Sequence, residues 1–138
     1  MMDLDFSLNR QLAIVRRARE VQMERGWVRY GYIDVHGSTC AHGAVLMACS
    51  HDADPSTLGE QISIRCSAII RARYPDLAKV AARERMSATG VLTSYNDFIA
   101  QKIQDVLDLF DECEEQILTD IEQARSLNEP NEPELVGV

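Results

Sequence analysis

Ile99, Ile103, Val106, Phe110, Cys113, Ile117 and Ile121 recur at steps of three and four, and no other stretch of the chain is as regular. Such spacing puts every one of them on a single stripe of an α-helix, and a stripe of that kind must be covered by other elements to persist in water. The chain is therefore predicted to fold against a long final helix, from about Asn96 or Phe98 to Leu127. Beside the stripe run Asp105, Asp108, Glu112, Glu115 and Glu122, which make the rest of that helix acidic.

A complementary helix lies near the other end. Ser7 can cap a helix to about Glu24, with Leu8, Leu12, Val15, Ala18 and Val21 at helical spacings and Arg10, Arg16, Arg17, Arg19 and Arg25 on the other face. Gly26 supplies a left-handed stop. Antiparallel packing of this helix on the final one joins two apolar stripes and brings opposite charges together. Exposed ion pairs contribute about 0.2 to 1 kcal/mol each, so the apolar contact should dominate.

Between these helices the pattern changes twice. Trp27 to Val35, WVRYGYIDV, is aromatic and β-branched and is followed by His-Gly-Ser-Thr, which predicts a short β-hairpin after helix one. From Cys40 the sequence suits a helix with Ser38 or Thr39 as N-cap. Pro55 opens a third helix carrying Leu58, Ile62, Cys66, Ile69 and Ile70, and Pro75 a shorter one that Ser87 to Gly90 breaks. The expected architecture is mainly α: a single-domain bundle of four to five helices over residues 1–127, then a disordered acidic tail over 128–138, where two prolines and three glutamates stand without periodicity.

Charge narrows the function classes. Residues 97–138 hold 12 of the 22 acidic residues but only 2 of the 14 basic ones, and the net charge is −8. Affinity for nucleic acid comes from Lys and Arg displacing counterions, so direct binding to a phosphate backbone is not expected. No run approaches the roughly 18 apolar residues of a membrane span, and the first residues lack a basic segment followed by an apolar one. The chain reads as soluble, cytoplasmic and free of the membrane. Cys40, Cys49, Cys66 and Cys113 form no dense framework and are expected as reduced thiols.

Three short motifs carry a resemblance: Arg25-Gly-Trp27, Cys40-Ala-His-Gly43-Ala44, and Tyr95-Asn96-Asp97 ahead of the helix with Val106-Leu-Asp-Leu. Over about Leu12 to Leu118 the chain resembles a family of small uncharacterised actinobacterial and phage proteins known only as a domain of unknown function. Val45 stands where that family usually has Leu, and Tyr95 takes its aromatic position. The resemblance implies one fold across the matched stretch and a link to mobile elements. It implies no activity, cofactor or catalytic residue.

Candidate sites concentrate in residues 36–51. Cys40, His42, Cys49 and His51 are the ligand types of a tetrahedral zinc site, the one cofactor this segment could hold. The spacing opposes it, because residues 40 and 42 differ by about 200° around a helix axis. The competing reading, preferred here, buries both cysteines and leaves the histidines at the surface. Thiol catalysis would use Cys40 at a helix N-terminus with His36 as base and Asp34 orienting the imidazole, and needs Cys40 exposed in a cleft. Asn96 and Asp97 read as N-caps of the final helix, and Trp27, Tyr30 and Tyr32 as aromatics laid on the core.

The leading expectation is a non-enzymatic module that binds another protein or a second copy of itself, in an accessory or inhibitory role in a phage or prophage. Asp105, Asp108, Glu112 and Glu115 are its candidate partner-binding residues. The alternative is a Cys/His-dependent enzyme or zinc-binding protein built on the 36–51 segment.

Overall fold

Leu4–Arg25 (α1) and Ile103–Asn128 (α6) are the two longest helices of the computed structural model, which describes residues 4–128. Between them come α2 (Ala41–Cys49), α3 (Pro55–Arg73), α4 (Pro75–Glu84), α5 (Ala88–Ser94) and one π-helical turn, Tyr95–Ile99. Of the expected tail, Asn128 closes α6 and the remaining residues lie outside the described range.

The pairing of α1 with α6 follows from their stripes. Leu8, Val15, Ala18 and Val21 of α1 and Val106, Phe110, Cys113, Ile117 and Ile121 of α6 are buried in one cluster with Leu58, Ile62, Cys66, Ile69 and Ile70 of α3. Fully burying one such aliphatic side chain contributes about 1.5 to 3 kcal/mol. Ion pairs then fix the register: Arg16 Nε lies 2.7 Å from Glu114 Oε2 and Arg19 Nε 2.6 Å from Asp111 Oδ1. The acid number falls as the arginine number rises, so the helices run antiparallel. On the other side of α6, Arg65 of α3 pairs with Asp120 at 2.8 Å and Arg73 with Glu112. The acids that meet α1 are thus Asp111 and Glu114, not the row Asp105, Asp108, Glu112 and Glu115.

Two expectations about the architecture are corrected. The described residues contain six α-helices rather than four to five, because Ser87 does not break the chain but starts α5. Its hydroxyl accepts the Gly90 N–H at 3.0 Å, while Arg85, at a φ of 54°, closes α4 in the left-handed conformation.

The hairpin after helix one is also absent. Among the described residues there is no strand, only the isolated bridges Trp27 with Thr39 and Ile33 with Thr39. Tyr30 adopts a φ of 65°, which breaks the pleat, and side chains take over amides that a partner strand would have used. The Tyr30 N–H goes to Asp97 Oδ1, and the N–H groups of His36 and Ser38 both go to Asp34 Oδ1. What was expected as a hairpin is a side-chain-braced loop.

Candidate functional site

The loop from Trp27 to Cys40 hangs on two residues far away in sequence. The π-helical turn is closed by the Ala100 N–H bonding to the Tyr95 carbonyl at 2.8 Å, five residues back. This wider turn brings Asn96 and Asp97 to the loop. Asn96 is fully buried, and its Oδ1 accepts the Trp27 indole N–H at 2.7 Å and the Ala41 amide at 2.9 Å. Its Nδ2 donates to the Val28 carbonyl and to Asp97 Oδ1, each at 3.0 Å. All four hydrogen-bonding positions of the amide are filled. Asp97 Oδ1 in turn accepts the Tyr30 N–H at 2.8 Å. Asn96 and Asp97 are therefore loop anchors and not caps of the last helix.

Further ties close the loop at its base. Gln22, fully buried in the last turns of α1, donates to the carbonyls of Gly26 at 3.0 Å and Thr39 at 2.7 Å. Gly26 takes a φ of 90°, the left-handed stop its position required. Arg29 lies over the Trp27 ring, 5.2 Å from its centroid, and donates to the Ala100 carbonyl. At the far side the Tyr32 carbonyl accepts the Cys40 N–H at 3.1 Å and lies so close to Gly43 that a Cβ there would run into it.

The Cys and His candidates fall into separate environments. Cys40 is 1% exposed and is itself the N-cap of α2, its Sγ accepting the Gly43 N–H at 3.2 Å, where Ser38 or Thr39 had been expected. Burial pushes its thiol pKa above the ordinary value, against the pull of the backbone N–H groups at the sulfur. A nucleophilic thiol needs the opposite shift and access to solvent. His36 is exposed on the loop, and the Asp34 carboxylate oxygen that was to orient it receives backbone amides.

Cys49 is equally buried, and loss of hydration pushes its thiol to about 11. It stands at the end of α2, about 13 Å along the helix axis from Cys40, too far for the two sulfurs to share one ion. His42 is 9% exposed with its ring edge-on to Tyr32 at 5.1 Å; burial lowers its pKa, and its Nδ1 is buried without a hydrogen-bond partner. His51 is exposed in the loop after α2. Among the described residues no group of three or more His, Cys, Asp or Glu is placed to hold a metal ion. Cys66 and Cys113 meet in the core, and the hydrogen bond between them, reinforced by burial, raises the Cys66 thiol well above its usual range.

What the loop presents to solvent is apolar. Val35 is 94% exposed, Phe98 74% and Tyr30 69%, with Tyr32 and Ile33 about half exposed. The rings of Tyr30 and Phe98 lie 5.7 Å apart, so the loop and the π-helical turn form one crest. Reading Tyr30 and Tyr32 as core aromatics is corrected here; of the three aromatics only Trp27 packs against the core. Val35 and Phe98 were missed altogether, since nothing in an alternating pattern says which face of an unformed hairpin is wet.

The acidic candidates divide. Asp105 is half-buried, its Oδ2 accepting the Gln101 N–H at 2.8 Å ahead of α6, and Glu112 is held by Arg73. Asp108 and Glu115 are exposed. Glu115 borders a shallow cavity of about 280 Å³ between α3 and α6, together with Arg65, Glu112 and Asp120.

Comparison with known proteins adds one match. The model of a family described as a family of unknown function (DUF6197) covers residues 8–116, close to the stretch on which the three motifs rest. No curated protein and no solved structure matches the chain. No helix among the described residues is long and apolar enough to cross a membrane.

Proposed function

The chain belongs to this family of unknown function, and we propose that it is a non-enzymatic protein-binding module whose docking face is the crest formed by Tyr30, Tyr32, Ile33, Val35 and Phe98. The observation that carries this reading is that apolar side chains, Val35 at 94% and Phe98 at 74% exposure, stand on a loop and turn braced by side chains, Asn96 and Asp97 holding Val28 and Tyr30 and Asp34 holding the amides on either side of Gly37. Neighbouring exposed apolar residues on a soluble fold mark interaction surfaces more often than chance. A loop already fixed in shape loses little conformational entropy when a partner covers it. The Cys and His residues argue in the same direction, since Cys40 and Cys49 are buried with raised pKa values and serve as a cap and as core.

A second surface is favoured by one observation, the exposure of Asp108 and Glu115 on α6, with Asp105 and Glu112 beside them. Under that reading the acidic face binds a partner through charge. An accessory or inhibitory role in a phage or prophage rests on the resemblance of the three motifs, and a cytoplasmic place on the four free, buried thiols.

A photoreactive amino acid placed at position 35 or at position 115, in cells that make the protein, separates the two surfaces. The crest reading expects a discrete protein adduct from position 35 that disappears when Tyr30 and Phe98 are both changed to Ser. Adducts from position 115 alone would move the function to the acidic face, and a ladder independent of Tyr30 and Phe98 would remove the crest from consideration.

A further inference from the structure

Tyr32 seats its side of the loop on the first turn of α2. Its carbonyl accepts the Cys40 N–H at 3.1 Å and closes over Gly43, and its ring meets the His42 ring edge-on at 5.1 Å. On the other side of Gly31, Tyr30 is tied to the π-helical turn through Asp97. Nothing lies within 4 Å of the place a Gly31 Cβ would take, so Gly31 is an open joint between the two attachments.

His42 suits this seat only as a neutral ring. It is 9% exposed, and its Nδ1 is buried with no hydrogen-bond partner. The cation carries N–H on both nitrogens, so protonation leaves a buried donor without an acceptor. Position adds to the cost: His42 is the second residue of α2, where the helix dipole opposes positive charge and no acidic residue stands in the first turn. Nor do the surrounding elements offer a counter-charge. The loop sets the Tyr32 ring against it, while Asp34 is turned to the amides of His36 and Ser38, and Arg29 to the Ala100 carbonyl. Cys40, at the head of α2, has a thiol that burial keeps protonated. Asp97 of the π-helical turn acts on Cys40, and its Oδ1 takes the Tyr30 and Asn96 N–H groups. Burial alone lowers the His42 pKa, with no charged group of any neighbouring helix contributing.

We propose that His42 is an acid-released catch of the loop: taking up a proton drives its ring away from Tyr32 and frees residues 31–38 from α2, while Asn96 and Asp97 keep Trp27 to Tyr30 in place. The crest then loses Tyr32, Ile33 and Val35 in mild acid and keeps Tyr30 and Phe98, whose rings lie 5.7 Å apart. The catch is set above pH 6.5, the ordinary histidine value, and each pH unit below it favours the released form about tenfold until the seated ring itself titrates. It concerns how the loop is held, not what the crest binds, and stands or falls separately from the docking reading.

The test follows the full chain by nuclear magnetic resonance from about pH 7.5 to about pH 5, reading the His42 ring resonances together with hydrogen exchange at the Cys40, Tyr30 and Ile62 amides, corrected for the intrinsic effect of pH. The expected result is that Cys40, whose N–H is bonded to Tyr32, loses protection about tenfold per pH unit below 6.5, while Tyr30 and Ile62 keep theirs. His42→Phe, which retains a ring but takes up no proton, should hold the Cys40 protection constant, and replacing the exposed His36 and His51 by Gln should change nothing. Cys40 protection that stays level in the parent would overturn the proposal. So would a loss shared by Ile62, which is unfolding of the whole chain, or the same loss in His42→Phe. Should His42→Phe fail to fold, the parent decides alone: a Cys40 loss that does not track titration of the His42 ring overturns the catch.

Discussion

The Trp27 indole N–H is held 2.7 Å from Asn96 Oδ1 although 69 residues separate the two in sequence. That one contact ties the start of the loop after α1 to the turn that precedes α6, and the same oxygen receives the first amide of α2. The loop, the π-helical turn and the start of α2 share a single buried amide.

Asn96→Ala should therefore cost much more than an average substitution. It leaves the Trp27 indole, the Ala41 amide and the Val28 carbonyl without their partner, and each buried polar group left unmatched costs about 1 to 3 kcal/mol. Urea unfolding is expected to show a loss of about 3 kcal/mol or more. Asn96→Asp should also destabilise, since it keeps the acceptor but removes the donor to Val28 and sets a second carboxylate against Asp97. A loss below about 0.5 kcal/mol for Asn96→Ala, the range of ordinary surface changes, would mean that the loop does not depend on this anchor.

Gly43→Ala gives a prediction of opposite sign to helix propensity. In a helix interior the change normally stabilises by about 1 kcal/mol. Here the new Cβ meets the Tyr32 carbonyl, a backbone atom already bonded to the Cys40 N–H, so the loop must move off α2. Thermal unfolding should show destabilisation, accompanied by a change in Trp27 fluorescence. A stabilised variant would place the loop farther from α2 than described.

Stability should fall at both ends of the pH scale for reasons that can be assigned. His42 has a pKa lowered by burial, so below about 6.5, its unperturbed value, the unfolded chain takes up a proton that the folded chain resists. Its contribution is present above pH 6.5 and is lost as pH drops toward the folded value. Cys49 is the mirror case: its thiol ionises near 9 when unfolded and at about 11 when folded, so stability is lost as pH climbs from 9 to 11. His42→Phe should flatten the acid limb of a stability–pH profile, and Cys49→Ala the alkaline limb. Profiles unchanged by both substitutions would contradict the described burial.

Thiol reactivity should follow the same geometry. All four cysteines are free and buried. Titration of the native protein with a disulfide reagent at neutral pH should be slow for all of them and become complete on unfolding. Fast modification of Cys40 alone would reopen the His36 and Cys40 mechanism.

The helices that could be read from the sequence are those whose burial is one-sided and continuous. The stripes from Leu8 to Val21, from Leu58 to Ile70 and from Val106 to Ile121 each say which face is covered, and the opposite charges of α1 and α6 say how two of them run. α5 was not legible, because Gly90 reads as a breaker when it in fact occupies the first turn beneath the Ser87 cap. The loop was not legible for a deeper reason. Its order comes from Asn96 and Asp97, whose local signal is that of a helix cap, and side-chain bonds across nearly 70 residues leave no periodicity behind. The candidate site shifts for the same reason: the Cys and His residues, whose types suggest chemistry, are buried or separated by the fold, while Val35 and Phe98 carry the exposed surface.

A docking crest must be held in shape while its side chains stand in water. Hydrogen exchange at the Tyr30 amide tests this most directly, because that residue is 69% exposed yet its N–H is bonded to Asp97 at 2.8 Å. A pre-set crest predicts exchange at least about a hundredfold slower than for an unstructured chain, in step with the Ala41 amide and lost in Asn96→Ala. Exchange at Tyr30 close to the unstructured rate, with Ala41 still protected, would contradict it, leaving a floppy loop on a stable helical core.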